Sequence, residues 1–230
     1  MENISSETNS TGKNYFAFFD LDHTITGSVS GKELVKTAYR KGMLRKSVMA
    51  RAIGLLAGYR LKLVRPEKAI EKMGSWVKNI PVEIFEKLCE EVFSNVLKPS
   101  IYPQVKQELE FHRKRNAGLV MLSSTVTPLC SMMARHLGLD DTLCSGMEYS
   151  DGILTGKTIG KFCFGAEKAI RLKAYCEKNN SKTGDAWYYG DAMADLPALR
   201  IVGNPVCVNP PKKLRKIALK NGWKVYYWEK

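Results

Sequence analysis

The chain has 230 residues, 44% of them hydrophobic and 26% charged, and its nine prolines and 18 glycines follow no period. That excludes a wholly disordered, fibrous or collagen-like protein and leaves room for a core-burying domain with one compact insertion. Thirty-six basic against 23 acidic residues give a net charge of +13, an excess that points to an anionic partner: phosphate, nucleic acid or a membrane surface.

Residues 1–14 are polar, carry no apolar core of a signal peptide, and read as a disordered lead-in. Tyr15-Phe16-Ala17-Phe18-Phe19 follows, an unbroken apolar run that predicts a strand buried on both faces. The stretch 28–100 then reads as helices only: Gly31–Lys41, Leu44–Tyr59, Pro66–Lys78 and Pro81–Val96, with turns at Gly42, Pro66 and Ile80-Pro81. Between Gly31 and Lys72 it holds twelve basic and three acidic residues, so most of the net charge sits here. Its apolar stretch Val48 to Leu63 is interrupted by Arg51 and Arg60, which argues against a membrane span.

Beyond it, strands and helices alternate. Leu119–Leu122, Trp187–Tyr189 and Pro205–Val208 read as buried strands. Pro103–Arg115, Pro128–Leu137, Gly165–Asn179 and Lys212–Asn221 read as helices, the first opened by its proline and the last closed by Gly222. This alternation predicts an α/β fold, a doubly wound parallel sheet built from 15–27 and 101–230, with 28–100 as a helical insertion. The six cysteines form no CxxC pair and read as reduced, mostly buried thiols of a cytoplasmic protein.

Polar residues follow the strand ends, where such sheets bind ligands. Asp20-Leu21-Asp22-His23-Thr24 places two carboxylates on one side of an extended chain. One can attack while the other moves a proton, and a divalent, oxygen-seeking cation would offset their repulsion. A chance pair in a turn is the competing account. Gly190-Asp191-Ala192-Met193-Ala194-Asp195 repeats the theme: glycine for a tight turn, then two carboxylates four residues apart on one helical face, against a simple helix cap at Asp191. Ser123, Ser124 and Thr125 end another strand and could hold phosphate oxygens or merely cap a helix. Lys168, near the start of a helix, has no role by itself.

Taken in order, these four elements resemble the motifs of the haloacid dehalogenase superfamily of phosphatases. Asp20 to Thr24 stand for the first motif, Ser123 for the second, Lys168 for the third, and Gly190-Asp191 through Asp195 for the fourth. The insertion resembles the superfamily's C1-type helical cap. With the tail Gly203 to Pro210, it is similar to subfamily IB, which includes phosphoserine phosphatase.

The resemblance implies that Asp20 is the nucleophile, forming an aspartyl-phosphate, and Asp22 the general acid and then base. It implies Mg²⁺ on the Asp20 carboxylate, the Asp22 backbone carbonyl and Asp191, with Asp195 supporting from behind. Ser123, Ser124 and Lys168 would bind the phosphoryl oxygens. Thr24 would orient the loop, with His23 structural.

One departure bears on substrate. Phosphoserine phosphatases carry an acid a few residues past the threonine of the first motif, for the substrate ammonium; here none occurs before Glu33. A small phosphomonoester, or a lipid phosphate head group such as phosphatidylglycerol phosphate read by the cationic cap, is the expected substrate, with peripheral membrane contact in the second case. A basic module binding nucleic acid or a membrane surface is the reading from another class. It leaves the paired aspartates unexplained, and no zinc finger or RNA-binding aromatic signature accompanies it. A phosphotransferase would share every residue.

Overall fold

The computed structural model describes residues 12–44 and 75–230. The expected helices Leu44–Tyr59 and Pro66–Lys78, the basic residues from Arg45 to Lys72 and nearly all of the lead-in lie outside this range, apart from a 3₁₀ turn at Ser75–Val77.

Strand β1, Phe16–Phe19, is almost fully buried. Its side chains alternate: Phe16 and Phe18 enter one apolar cluster, Ala17 and Phe19 the other. An all-apolar strand is what a central parallel sheet with both faces covered requires. On one face lie helices α1 (Ser30–Arg40), α2 (Val82–Val92), α3 (Pro103–Arg113) and α4 (Thr127–Leu137). The other face carries α5 (Ala166–Lys178), α6 (Leu196–Ile201) and α7 (Lys212–Lys220).

The other strands are β2 (Gly118–Val126), β3 (Asp141–Ser145), β4 (Met147–Ser150), β5 (Ile153–Thr158), β6 (Trp187–Gly190), β7 (Asn204–Val208) and β8 (Lys224–Tyr226). The main sheet has the order β3-β2-β1-β6-β7-β8, with every pairing parallel. The α/β expectation therefore holds. After β1 the chain winds outward to β2 and β3, then crosses back to β6, β7 and β8, so the order reverses between β1 and β6. The carboxyl ends of those two strands flank the crevice such sheets use for ligands, and they deliver Asp20 and Asp191.

Three features differ from the sequence reading. First, β2 does not stop before Ser123. It runs to Val126, with an irregular register against β3 between Leu122 and Val126, so Ser123–Thr125 sit in a distorted strand rather than in a cap. Second, β3 and the edge strand β8 were not anticipated. Third, β4 and β5 form an antiparallel hairpin whose turn, Asp151-Gly152, has φ of 51° and 75°. Asp-Gly is the residue pair that tolerates two consecutive left-handed positions. This hairpin latches onto the end of the insertion: Val82 N–H donates to Gly152 O and Leu154 N–H to Ile80 O, both at 2.9 Å.

α1 and α2 match the helices expected around Gly31–Lys41 and Pro81–Val96, although the latter continues beyond Val92 as a π turn, Phe93–Leu97. Leu34, Ala38, Phe85, Leu88 and Val92 belong to the same apolar cluster as Phe19 and Met121. The described cap helices thus share the core of the sheet. Among the described residues, no helix is long and apolar enough to cross a membrane.

Candidate active site

The crevice holds a cavity of about 170 Å³, lined by Asp20, Asp22, His23, Val29, Ser124, Phe164, Lys168, Asp191, Ala192, Ala194 and Asp195. Six of the seven site residues expected from sequence line it. The seventh, Ser123, is buried one residue away on β2, where its Oγ accepts the Thr125 N–H at 3.3 Å.

Asp20 leaves the end of β1 in register, its N–H donating to Tyr189 O on β6 at 3.0 Å. The residue is 6% exposed. Oδ1 faces Lys168 Nζ at 3.1 Å yet accepts no hydrogen bond. Burial pushes this carboxyl up and Asp195 adds to the rise. Lys168 opposes it, as do the Leu21 amide and Ser123 hydroxyl. The chain then turns tightly, with Leu21 O accepting from the amides of Ile25 and Thr26 and His23 in the left-handed region at φ 57°. Thr24 is buried beneath that turn, its hydroxyl unpartnered.

Asp22 stands half-buried at the rim. Its Oδ1 accepts the Ser30 N–H and its Oδ2 the Ser30 hydroxyl, each at 2.9 Å. Burial lifts it to about 7, against the Ser30 amide, with Asp20 adding to the lift.

Lys168, in the first turn of α5, is only 2% exposed. Its ammonium sits 2.6 Å from Asp195 Oδ1 and also donates to Tyr188 Oη at 3.2 Å. Burial alone would lower its pKa; the carboxylates of Asp195 and Asp20 outweigh burial and hold it charged. Asp195 is fully buried and saturated: Tyr188 O–H donates to Oδ1 at 2.7 Å and Ala192 N–H to Oδ2 at 2.9 Å.

Asp195 itself therefore supplies the local cap, and the competing account of a helix cap at Asp191 is not what forms. Gly190 also serves differently from the expected turn role, since its φ is not positive. A Cβ there would lie 2.8 Å from Asp195 Cγ, so only glycine lets the two segments approach. Asp191 remains half-buried, pushed up to about 8 by burial and then by Asp20 and Asp195.

Carboxylate oxygens of Asp20, Asp191 and Asp195 lie within 4.8 Å of one another. Three carboxylates share the single Lys168 ammonium, and Asp191 is raised, so there is excess negative charge here and a carboxylate without a counter-charge. Both fit a hard divalent cation, which takes oxygen ligands.

The sequence model of the haloacid dehalogenase-like hydrolases matches residues 17–200. The chain belongs to that family. It is 27% identical over 218 residues to a probable phosphatase of Mycobacterium tuberculosis, covering 91% of this chain and 74% of that one. A solved structure of a Bordetella pertussis protein of unknown function superposes with a TM-score of 0.84 at 26% identity, covering 93% of this chain and 98% of the other. Phosphoserine phosphatase, solved as an analogue of its phospho-aspartyl intermediate, shares the fold with a TM-score of 0.69 at 18% identity over 95% of this chain and 94% of its own. The expectation of an enzyme of phosphatase type is borne out.

Sequence reasoning passed over Ser30, Tyr188, Val29 and Phe164. A lone serine eight residues past Asp22, a tyrosine in a strand and two apolar residues carry no spacing signal. Val29 and Phe164 emerge only as cavity wall, and Ser30 and Tyr188 only through their hydrogen bonds to Asp22 and Asp195.

Proposed function

We propose that this phosphatase hydrolyses phosphate monoesters through a covalent aspartyl-phosphate on Asp20, with Mg²⁺ as its cation. The observation that carries the reading is the Asp20 carboxylate at the cavity floor. One of its oxygens accepts no hydrogen bond, although Lys168 stands 3.1 Å away. An oxygen kept buried without a hydrogen bond costs the fold free energy, and its lone pairs are left free to attack phosphorus.

In the first step that carboxylate attacks phosphorus and the ester P–O bond breaks. Asp22, held at the rim with a pKa near 7, delivers a proton to the departing alcohol oxygen. In the second, Asp22 takes a proton from water, the water oxygen attacks phosphorus, and inorganic phosphate leaves with Asp20 restored. Lys168 and the hydroxyls of Ser123 and Ser124 are suited to the phosphoryl oxygens. Asp20, Asp191 and the Asp22 backbone carbonyl are suited to Mg²⁺, and Asp195, its oxygens already engaged, to a supporting place behind them. Bound there, the cation would neutralise carboxylate charge and polarise a phosphoryl oxygen.

Among the described residues, the carboxylates lining the cavity are Asp20, Asp22, Asp191 and Asp195, all given work by this mechanism. Val29, five residues past Thr24, lines the cavity and brings no charge to it. This favours a small phosphomonoester other than phosphoserine. Of the described cap cations, Lys36 pairs with Glu33 and Lys41 with Glu91, and eight of the twelve basic residues behind the lipid-phosphate version, Arg45 to Lys72, lie outside the described range.

The test is a panel of phosphoserine, sugar phosphates, nucleotides and a vesicle-borne lipid phosphate. It is run with Mg²⁺ and after chelation, with rapid acid quench to trap phosphoenzyme. Mg²⁺-dependent turnover and an acid-stable, hydroxylamine-labile phosphoprotein are expected. Turnover that survives chelation would remove the metal from the reading, and turnover without phosphoenzyme would remove the covalent step.

A further inference from the structure

We propose that the hydroxyl pair Ser30–Thr125 is the positioning clamp that aims the Asp22 carboxylate at the leaving group. The inference rests on Asp22 being the acid and base. Ser30 is the first residue of α1 and 1% exposed. Its backbone N–H is one of the free donors of a helix start, and its side chain adds a second donor from the same residue. Together they take both oxygens of Asp22 at 2.9 Å, which fixes the carboxylate plane as well as its distance.

Ser30 is in turn braced from the sheet. Its Oγ lies 2.6 Å from Thr125 Oγ1, and Thr125 is 6% exposed in the irregular end of β2. Three segments distant in sequence, the turn after β1, the start of α1 and the end of β2, therefore meet at one carboxylate. The Ser30 hydroxyl gives its one proton to Asp22, so Thr125 O–H donates to Ser30 Oγ and holds that hydroxyl pointed at the carboxylate. A donor held within hydrogen-bond reach and correctly oriented is what proton transfer demands, and an unclamped half-buried side chain would lose that alignment.

A merely structural role for Ser30, as a helix end tied by Asp22, predicts lost stability and nothing specific in the chemistry. The clamp predicts a leaving-group effect. Phenyl phosphate needs protonation of its departing oxygen far more than p-nitrophenyl phosphate does. Ser30→Ala, Ser30→Thr, Thr125→Val and Asp22→Ala should be assayed with both esters and Mg²⁺, alongside thermal unfolding and the burst of released phenol.

Ser30→Ala should lower kcat for phenyl phosphate by about tenfold to a hundredfold, part of the roughly 10²- to 10⁴-fold that general acid–base catalysis supplies. KM should hold, and the p-nitrophenol burst should slow much less. Ser30→Thr, which keeps both donors, should recover most of the loss, and Thr125→Val should show a smaller loss of the same pattern.

A folded Ser30→Ala with wild-type kcat on both esters, or with the phenol and p-nitrophenol bursts slowed equally, overturns the clamp. If Ser30→Ala does not fold, wild-type kinetics of Thr125→Val overturn it instead. Wild-type turnover by Asp22→Ala would overturn the acid–base reading itself. An inactive Asp22→Ala beside a fully active Ser30→Ala would overturn the clamp alone.

Discussion

Two polar clusters flank β6, one buried and one reaching half-buried Tyr15 and Glu108, and consecutive tyrosines feed them. Tyr188 points to one face and joins Lys168, Asp195 and Asp20. Tyr189 points to the other and joins His112, Tyr15 and Glu108. The second cluster closes on itself. Tyr189 O–H donates to Glu108 at 2.7 Å, so it accepts from His112 Nε2–H, leaving Nδ1 to accept from Tyr15 O–H, both at 2.9 Å. Every group is satisfied with a neutral imidazole, and aromatic rings pack around it.

The first cluster does not close. One ammonium serves two carboxylates, Asp20 Oδ1 accepts no hydrogen bond, and the opening leads to the cavity. A buried network that holds a fold is complete by itself, whereas one built for a reaction leaves a position for the ligand.

The largest expected effect is on the open side. Asp20→Asn should lower turnover of p-nitrophenyl phosphate by roughly 10⁴-fold or more, as loss of a nucleophile does. The fold should survive, because a buried charge beside Asp195 is removed while the shape is kept. Steady-state kinetics and a thermal melt check both halves. Retained activity would erase the functional half of the contrast.

Lys168→Met comes next. It strands Asp195, which is fully buried, together with Asp20 at 6% exposure. Breaking a buried ion pair by removing one partner costs about 3–5 kcal/mol, measurable by urea unfolding. Adding Asp195→Asn should return part of that stability without returning activity.

The smallest effect concerns the closed side. Burial, then the charges of Arg115 and Lys224, push His112 down to about 4. An unfolded histidine takes its proton near 6.5, so between those values the unfolded state binds more protons than the folded one. Stability should therefore fall as pH drops from about 6.5 to about 4, by at most about 3 kcal/mol, and this contribution should level off below. His112→Gln should be less stable at neutral pH and lose that part of the pH dependence. Identical slopes in the two proteins would deny the histidine its place in the closed cluster.

Much of the site was legible in the chain because its parts lie at strand ends. A buried apolar run that stops at a carboxylate announces both the strand and the exit, as at Phe19-Asp20 and Tyr189-Gly190-Asp191. The hairpin was legible too, in Asp151-Gly152, but the flanking strands are short and half-exposed and their signal was passed over. Strand β8 is three residues at a sheet edge, too short for any pattern.

The local sequence determined the parallel sheet, the flanking helices and four of the polar positions, since burial on both faces demands continuous apolar strands and periodic helices. Only the tertiary structure decided which polar groups share charge. Lys168 carries no signal of its own within α5; the crossover from β5 to β6 sets it between Asp20 and Asp195, where two carboxylates overcome its burial. Gly190 reads as a turn residue, yet the packing of Asp195 against it decides its identity. Ser30 belongs to the insertion and Thr125 to the sheet, and they meet at Asp22 because α1 folds back across the carboxyl ends of the strands. Hydrogen bonding and Coulomb attraction act over a few ångströms of space, and a linear sequence does not record that distance.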